Sequence, residues 1–328
     1  MIDRKQQKGA ALLIVLLLVA TLSFVALASL EHTSLASVRA ANVQARGEAI
    51  WRGFAAEALA RSAIERAYAA NSGKLSLDDP WATQPLEIPF DDGGVRIFFA
   101  DASLCYNVNS LASLPPVVPS DQPPQELAEF IRLAVNLGIN EFEAMALADA
   151  ITDWVDEDSN RRPQGAEDEY YTTLPSPYRT GNRFMASVTE LRAVKGFTRN
   201  LYATLKPYLC ARNDSVSGPM NINMATERHA PLLAAVFGDG VAVQLAREII
   251  ASRPVGGYET AEAFLASPQV KALQSGEQAG ERFDVRSAYL QARAEIVYDT
   301  ALVEITTDFA IGDNGETSVI ARRIGAEE

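Results

Sequence analysis

Gly9-Ala10-Ala11-Leu12-Leu13-Ile14-Val15-Leu16-Leu17-Leu18-Val19-Ala20 opens a run that carries no charge until Glu31. Arg4, Lys5 and Lys8 precede it, against the single acid Asp3. About 20 apolar residues, at roughly 1.5 Å each, let a helix cross a bilayer. The basic flank predicts a cytoplasmic N-terminus, with the bulk of the chain across the membrane. A cleaved secretory signal has a shorter apolar core, about 7–15 residues, ending in a small-x-small site. Here the run is longer, and the pattern after it stays helical. No proline occurs from Glu31 to Asn71, and Ala, Arg, Glu and Leu dominate. Glu57 stands four residues before Arg61, a favourable helix pair. Trp51, Phe54, Ala55, Ala58 and Leu59 share one apolar face. The spacing predicts one helix from Ala10 to about Asn71, roughly 93 Å long, with residues 10–30 in lipid and the remainder packed on a head.

Beyond Asn71-Ser72-Gly73 the period changes. Leu86-Glu87-Ile88 and Val95-Arg96-Ile97-Phe98-Phe99 flank an Asp91-Asp92-Gly93-Gly94 turn and predict a hairpin. Cys105-Tyr106-Asn107-Val108-Asn109 reads as a third strand, and a Pro-rich loop runs from Pro115 to Pro124. Helical spacing then takes over. Leu127, Phe130, Ile131 and Ala134 recur until Gly138, and Asn140 with Glu143 makes a capping box for a helix to Trp154. Ser187 and Glu190 repeat that device, and a helical hairpin spans Thr226 to Arg253 around Gly238-Asp239-Gly240. Strands return at Leu290–Val297, Ala301–Ile311 and Glu316–Arg322. The pattern predicts an α+β fold: a long N-terminal helix with an antiparallel sheet, split between residues 72–111 and 281–328 by an all-α insertion over 112–280.

Of 328 residues 48% are hydrophobic, enough for a sizeable core. Lys and Arg number 29 against 42 Asp and Glu, a formal charge of −13 that repels phosphate backbones. Nucleic acid is therefore not an expected partner. The sequence lacks a G-x-S-x-G, a P-loop, an H-E-x-x-H and a dinucleotide fingerprint, so no enzymatic activity is expected.

One stretch concentrates acid: Asp153, Asp156, Glu157, Asp158, Glu167, Asp168 and Glu169. Counted from Asp156, oxygen donors fall at the first (Asp156), third (Asp158), fifth (Asn160) and twelfth (Glu167) positions, with the Arg162 carbonyl at the seventh. This is the ligand spacing of an EF-hand calcium loop. Arg161 departs from it, occupying the sixth position where the EF-hand turn needs glycine, so a true EF-hand is not expected. Asp153 and Asp168 are further candidate ligands. The alternatives are a solvated acidic loop and a general acid/base pair.

Two cysteines, Cys105 and Cys210, precede similar segments, Tyr106-Asn107-Val108-Asn109 and Asn221-Ile222-Asn223. Strands starting near them, lying side by side, allow a Cys105–Cys210 bond in an oxidising compartment; two separate buried thiols are the alternative. Gly238-Asp239-Gly240 resembles the turn of a helix-hairpin-helix, a motif that grips DNA phosphates, and supports a competing reading as a DNA-uptake minor pilin. Asp239 at the phosphate position speaks against it, and packing is the expected role.

The sequence Lys8-Gly9-Ala10-Ala11-Leu12-Leu13 resembles a prepilin signal. That resemblance implies cleavage between Gly9 and Ala10 by a prepilin peptidase, N-methylation of Ala10 and retention of the apolar helix as anchor in the inner membrane, with residues 1–9 as leader. Pilins mostly carry Glu at the fifth mature position, where Ile14 stands here. Asp153-Trp154-Val155-Asp156-Glu157-Asp158, Gly165-Ala166-Glu167-Asp168-Glu169-Tyr170-Tyr171, Pro177-Tyr178-Arg179, Asn182-Arg183, Ser187-Val188-Thr189-Glu190-Leu191-Arg192 and Asn221-Ile222-Asn223 together resemble the K-type minor pseudopilin of the type II secretion system, over nearly the whole chain. This implies a pilin-like fold, bound calcium, a periplasmic bulk and a place at the pseudopilus tip, where the subunit helps to initiate assembly and protein export. Implied partners are the I-type and J-type minor pseudopilins, other pseudopilins and the inner-membrane assembly platform. Trp51, Phe54 and Leu59 are the expected partner-binding residues.

Overall fold

In the computed structural model helix α1 runs unbroken from Arg4 to Ala70, as alanine-rich sequence without proline allows. The structure describes residues 4–115, 123–273 and 280–325, with side chains from residue 12 onward. Gly9 and Ala10 lie on the α1 backbone, outside the described side chains, and most of the Pro115–Pro124 loop lies outside the described residues. The helix closes where Ser72 and Gly73 take positive φ of 53° and 87°. There the Gly73 amide bonds back to the Tyr68 carbonyl at 2.8 Å.

A one-turn helix α2 (Pro80–Thr83) leads into β1 (Leu86–Phe90) and β2 (Gly93–Asp101). Three further strands, β7 (Tyr289–Tyr298), β8 (Ala301–Ile311) and β9 (Thr317–Ile324), complete an antiparallel sheet of order β1-β2-β7-β8-β9. Gly93 makes the first turn feasible: a Cβ there would collide with the Val297 carbonyl. Alternation puts Val95 and Ile97 of β2, with Leu290, Ala292, Ala294 and Ile296 of β7, on the face covered by α1.

The face of α1 turned to this sheet is a stripe of small residues. Ala45, Ala49, Gly53, Ala56, Ala60 and Ile64 are buried there, and a Cβ on Gly53 would collide with Ile305 Cδ1. Small side chains bring the helix close to the sheet, so the large ones of the sheet fill the gap. The face marked by Trp51 and Leu59 points outward, 71% and 44% exposed. Glu57 departs from the expected i,i+4 pair with Arg61. It takes Arg322 of β9 at 2.6 Å on both oxygens, and Thr307 donates to it at 2.9 Å. A bidentate guanidinium and a hydroxyl outweigh a flexible surface pair, and they hold Glu57 below the ordinary carboxylate range.

The insertion enters after β2 and leaves before β7. Those strands are neighbours in register Asp101↔Leu290, so entry and exit already meet and a long excursion adds little closure entropy. It contains β3 (Tyr106–Asn107), α3 (Gln125–Asn136), α4 (Glu141–Val155), α5 (Asp168–Tyr171), α6 (Arg199–Leu205), β4 (Leu209–Cys210), β5 (Met220–Asn221), α7 (Ala230–Phe237), α8 (Val243–Ala251), α9 (Ala261–Leu265), α10 (Pro268–Lys271) and β6 (Phe283–Asp284). Its core includes Phe130, Leu133, Leu147, Ile151, Leu233, Phe264 and Phe283, and extends from Leu104 to Val285. A buried ion pair, Glu129 to Arg282 at 3.1 Å, ties α3 to the exit segment.

Two expectations are corrected here. The insertion is not purely helical, since β3 pairs in parallel with β4 and β5 with β6. The third strand at Cys105–Asn109 shortens to Tyr106–Asn107, because the Asn107 side chain accepts from the Asn109 amide at 3.2 Å and turns the chain into a 3-10 helix. The Ser187–Glu190 capping box is present, but likewise on a 3-10 turn, Val188–Ala193.

Candidate metal centre

Helix α4 ends at Val155, and the acidic loop folds back against it. Both oxygens of buried Asp153 accept from the Arg162 amide at 3.1 Å, and Asp149 accepts from the Gln164 amide at 3.0 Å. The Arg162 guanidinium donates to the carbonyls of Leu114 (3.2 Å) and Pro115 (2.9 Å). Lys195 clamps the far side through the carbonyls of Gln164 (3.0 Å) and Gly165 (2.9 Å). Gly165 is required at this contact, since a Cβ would enter the Asp153 carboxylate.

Folding back brings Asp156, Asp158 and Glu167 together, one oxygen of each lying within 4.8 Å of the others. Glu167 is 5% exposed, and neither of its oxygens has a hydrogen-bond partner; Asp156 Oδ1 is buried in the same state. Burial, then repulsion from Asp153, Asp156 and Asp158, raises the Glu167 carboxyl to about 7. Burial, followed by Asp158 and Asp153, raises Asp156 to about 6. Asp153 also rises to about 6, mainly through burial.

These positions refine the expected ligand set. Asp156, Asp158 and Glu167 converge. Asp153 is committed to the Arg162 amide, and Asp168 to Thr180 (amide and hydroxyl, both 3.0 Å) and Arg179 (3.2 Å). Asn160 is exposed, its amide donating to Asp158 Oδ1 at 2.6 Å, and the Arg162 carbonyl accepts from the Gly165 amide at 3.2 Å. Asn182 escaped the loop arithmetic because it lies 15 residues past Glu167 in sequence. It has φ +42°, donates from Nδ2 to the Asp158 carbonyl at 3.3 Å, and leaves its Oδ1 buried without a partner. Its only sequence signal was Asn182-Arg183 among the family-like motifs.

Buried carboxylate oxygens without donors are costly as bare anions. An all-oxygen set with no His or Cys suits a hard divalent cation. The residues present fit such an ion, with Asp156, Asp158 and Glu167 to hold it.

Cys105 and Cys210 are joined, with Cα atoms 5.7 Å apart, beside the β3–β4 bridge. Asp239 stands exposed at the α7–α8 turn and pairs with Arg132 at 3.3 Å. Among the described residues α1 is the one helix long and apolar enough to cross a membrane.

A long helix on a five-stranded antiparallel sheet, with a large insertion carrying an acidic loop, defines a pilin-like scaffold with an added helical module. Two family models described as type II secretion system protein K match residues 104–214 and 220–286. A type II secretion system protein K from Aeromonas hydrophila is 32% identical over 99% of both chains. One from Pectobacterium carotovorum is 35% identical over 79% of each, and one from Pseudomonas aeruginosa 29% over 98% of this chain and 94% of the relative. A chain of the crystal structure of the GspK-GspI-GspJ complex from enterotoxigenic Escherichia coli superposes with a TM-score of 0.76 at 26% identity, covering 88% of this chain and all of that one. The chain belongs to the type II secretion system protein K family, and its role is that of a minor pseudopilin.

Proposed function

We propose that the subunit caps the tip of a type II secretion pseudopilus, above I-type and J-type minor pseudopilins, as a non-catalytic element stabilised by calcium. The observation that carries the partner assignment is the outward face of α1. Trp51 is 71% exposed, next to Phe54 at 5.6 Å edge-to-face, and Leu59 is exposed about two turns beyond Trp51. Phe54 itself lies under the Arg322 guanidinium at 5.0 Å, which makes Trp51 and Leu59 the stronger anchors. The structural neighbour is a complex with the I and J proteins.

Position at the tip follows from two features. Ile14 replaces the acid that in pilins pairs with the terminus of a subunit further up, so nothing is lost when no such subunit exists. The insertion is larger than the sheet, and repeated along a packed filament it would meet itself. The N-terminal helix anchors the subunit in the inner membrane before assembly, after cleavage between Gly9 and Ala10, with the head in the periplasm. Asp239 at the α7–α8 turn, paired with Arg132 at 3.3 Å, puts a negative charge where a phosphate would sit and favours a packing role for this hairpin.

The test uses the full chain, co-purified in detergent with its I-type and J-type partners. Native mass is expected to give a one-to-one-to-one complex, and the chain within it to begin at methylated Ala10. Trp51→Glu is expected to weaken the complex about tenfold or more, as loss of a central aromatic anchor does. Incorporation of many copies along the shaft of assembled pili would overturn the tip position, and a mature chain starting near Ser34 would overturn the processing.

A further inference from the structure

We infer that Lys195 positions the cation site: with Asp149 it holds the Glu167 side of the acidic loop ready-formed, so that an incoming divalent ion has only Asp158 and its neighbours left to gather. The inference rests on the calcium reading above.

The loop has two unlike halves, and the half that carries Glu167 is tied down from several sides. On the α4 side Asp153 accepts from the Arg162 amide at 3.1 Å, and Asp149 from the Gln164 amide at 3.0 Å. From the opposite side Lys195 Nζ donates to two consecutive carbonyls, those of Gln164 at 3.0 Å and Gly165 at 2.9 Å. Glu167 stands two residues further along the chain. Beyond it the Asp168 carboxylate accepts from the amide and the hydroxyl of Thr180, both at 3.0 Å. The Tyr170 amide donates to the Glu167 carbonyl at 2.8 Å. The backbone is thus fixed before and after Glu167, and its side chain is buried.

The other half is open. Residues 157–161 are all exposed. The Asn160 amide closes back on Asp158 Oδ1 at 2.6 Å, and the Asp158 carbonyl accepts from Asn182 at 3.3 Å. Asp156 belongs with the fixed part, because its amide donates to the Thr152 carbonyl at 2.9 Å and the end of α4 sets its place. Two of the three converging carboxylates are therefore placed by the fold, and the third, Asp158, rides on the exposed arm. A cation binds more tightly to ligands that need no ordering, since the entropy of fixing them has already been lost on folding.

Lys195 can do this because it is itself held. Its amide donates to the Tyr171 hydroxyl at 3.1 Å, and Val194 before it is buried. Gly196 after it takes φ +88°, and a Cβ there would press on Leu147 Cδ2 at 3.2 Å. The ammonium lies 5.3 Å from the centre of the Tyr170 ring. A fixed ammonium gives the loop backbone a pair of charge-assisted bonds, stronger than bonds between neutral groups. It is also a positive charge close to a site for a cation, and by charge alone it would oppose binding. Positioning and charge therefore predict opposite signs when Lys195 is removed. Its bonds go to backbone carbonyls and not to the converging carboxylates, so it is a positioning residue.

The experiment uses the full-length chain in detergent, with calcium affinity read by calorimetry and amide exchange followed in chelator and in calcium. Lys195→Met is expected to bind calcium about tenfold more weakly, and Lys195→Arg, which keeps a cation with several donors, to stay within about threefold of the parent. Asp149→Ala should bind more weakly than Asp149→Asn, since both lose the charge and only Ala loses the acceptor for the Gln164 amide. In the calcium-free parent the Arg162 and Gln164 amides should exchange slowly and those of residues 157–161 rapidly, with calcium slowing mainly the second set. Unchanged or tighter calcium binding in folded Lys195→Met overturns the positioning role, tighter binding marking the lysine as a nearby charge only. Loss in Lys195→Arg equal to that in Lys195→Met overturns it as well, and equal affinities in the Asp149 pair overturn the share given to Asp149. Equal exchange in the two halves of the calcium-free parent overturns the ready-formed side, and that measurement needs no variant. A parent that takes up no calcium overturns the calcium reading and with it the role of Lys195 in binding, while the exchange pattern still decides whether the Glu167 side is formed in advance.

Discussion

In calcium-free buffer Glu167→Gln is expected to melt above the parent at pH 8, and in millimolar calcium to melt below it. The inversion follows from the Glu167 environment. Without a cation, burial and the neighbouring Asp153, Asp156 and Asp158 lift its carboxyl to about 7, and lift Asp156 to about 6. A carboxyl whose folded pKa is raised binds its proton more tightly in the folded state than in the unfolded. Stability therefore falls as pH rises from the ordinary carboxyl values of 4.5 and 3.8 through these folded values, and levels off above about 7. Gln removes one of the buried like charges and relieves that penalty. Calcium needs the same oxygens deprotonated, so it flattens the slope: bound at 100 times its Kd it adds about 2.7 kcal/mol, and at 1,000 times about 4.1. Parent chain in saturating calcium should hold its stability from pH 6 to pH 8 where the apo chain loses it. Scanning calorimetry at three pH values, with calcium and with chelator, measures both effects. Identical calcium shifts in parent and variant would place the ion elsewhere.

Replacing Cys105 and Cys210 together by Ser is expected to lower stability by about 2–5 kcal/mol, the range for removing native cross-links. The bond spans 105 residues, so it limits the unfolded chain's freedom from Cys105 to Cys210, with the acidic loop between them. A loop of about 100 residues corresponds to roughly 4.7 kcal/mol in the chain-entropy model, an upper figure because denatured chains keep some compactness. The bond also lies at the β3–β4 bridge: Cys210 is in the strand that pairs with Tyr106-Asn107, and the Arg212 amide two residues on donates to Asn107 Oδ1 at 3.0 Å. Denaturant midpoints with and without a reductant test this on the unmodified chain. A parent whose midpoint is indifferent to reductant, with both thiols open to alkylation, would overturn it.

The long helix, its apolar first half, the hairpin at Asp91–Gly94 and the return of strands after residue 280 were legible because each is written in neighbouring residues. Length of an uncharged run, period and turn chemistry are local quantities. The outer face at Trp51 and Leu59 was legible for the same reason, although only packing against β7 and β8 revealed that the opposite, small-residue face holds the sheet. Spacing also found the carboxylates that converge, Asp156, Asp158 and Glu167. It could not tell that Asp153 and Asp168 are bonded elsewhere, since that depends on the Arg162 amide and on Thr180 and Arg179. Glu57 makes the same point, since Arg322, 265 residues away, outbids Arg61 one turn along.

Sequence alone therefore determined the long apolar N-terminal helix, the order of elements, the interruption of the sheet by an insertion and the family, all carried by periodicity and by motifs of adjacent residues. Only tertiary structure decided which acids face one another, that Asn109 and Asn223 each hold a distant backbone through both ends of the side-chain amide, and that Cys105 meets Cys210. The physical reason is that a burial energy, an ion pair or a two-ended amide clamp belongs to a pair of groups in space, and chain separations of 76 and 105 residues carry no local trace of that meeting.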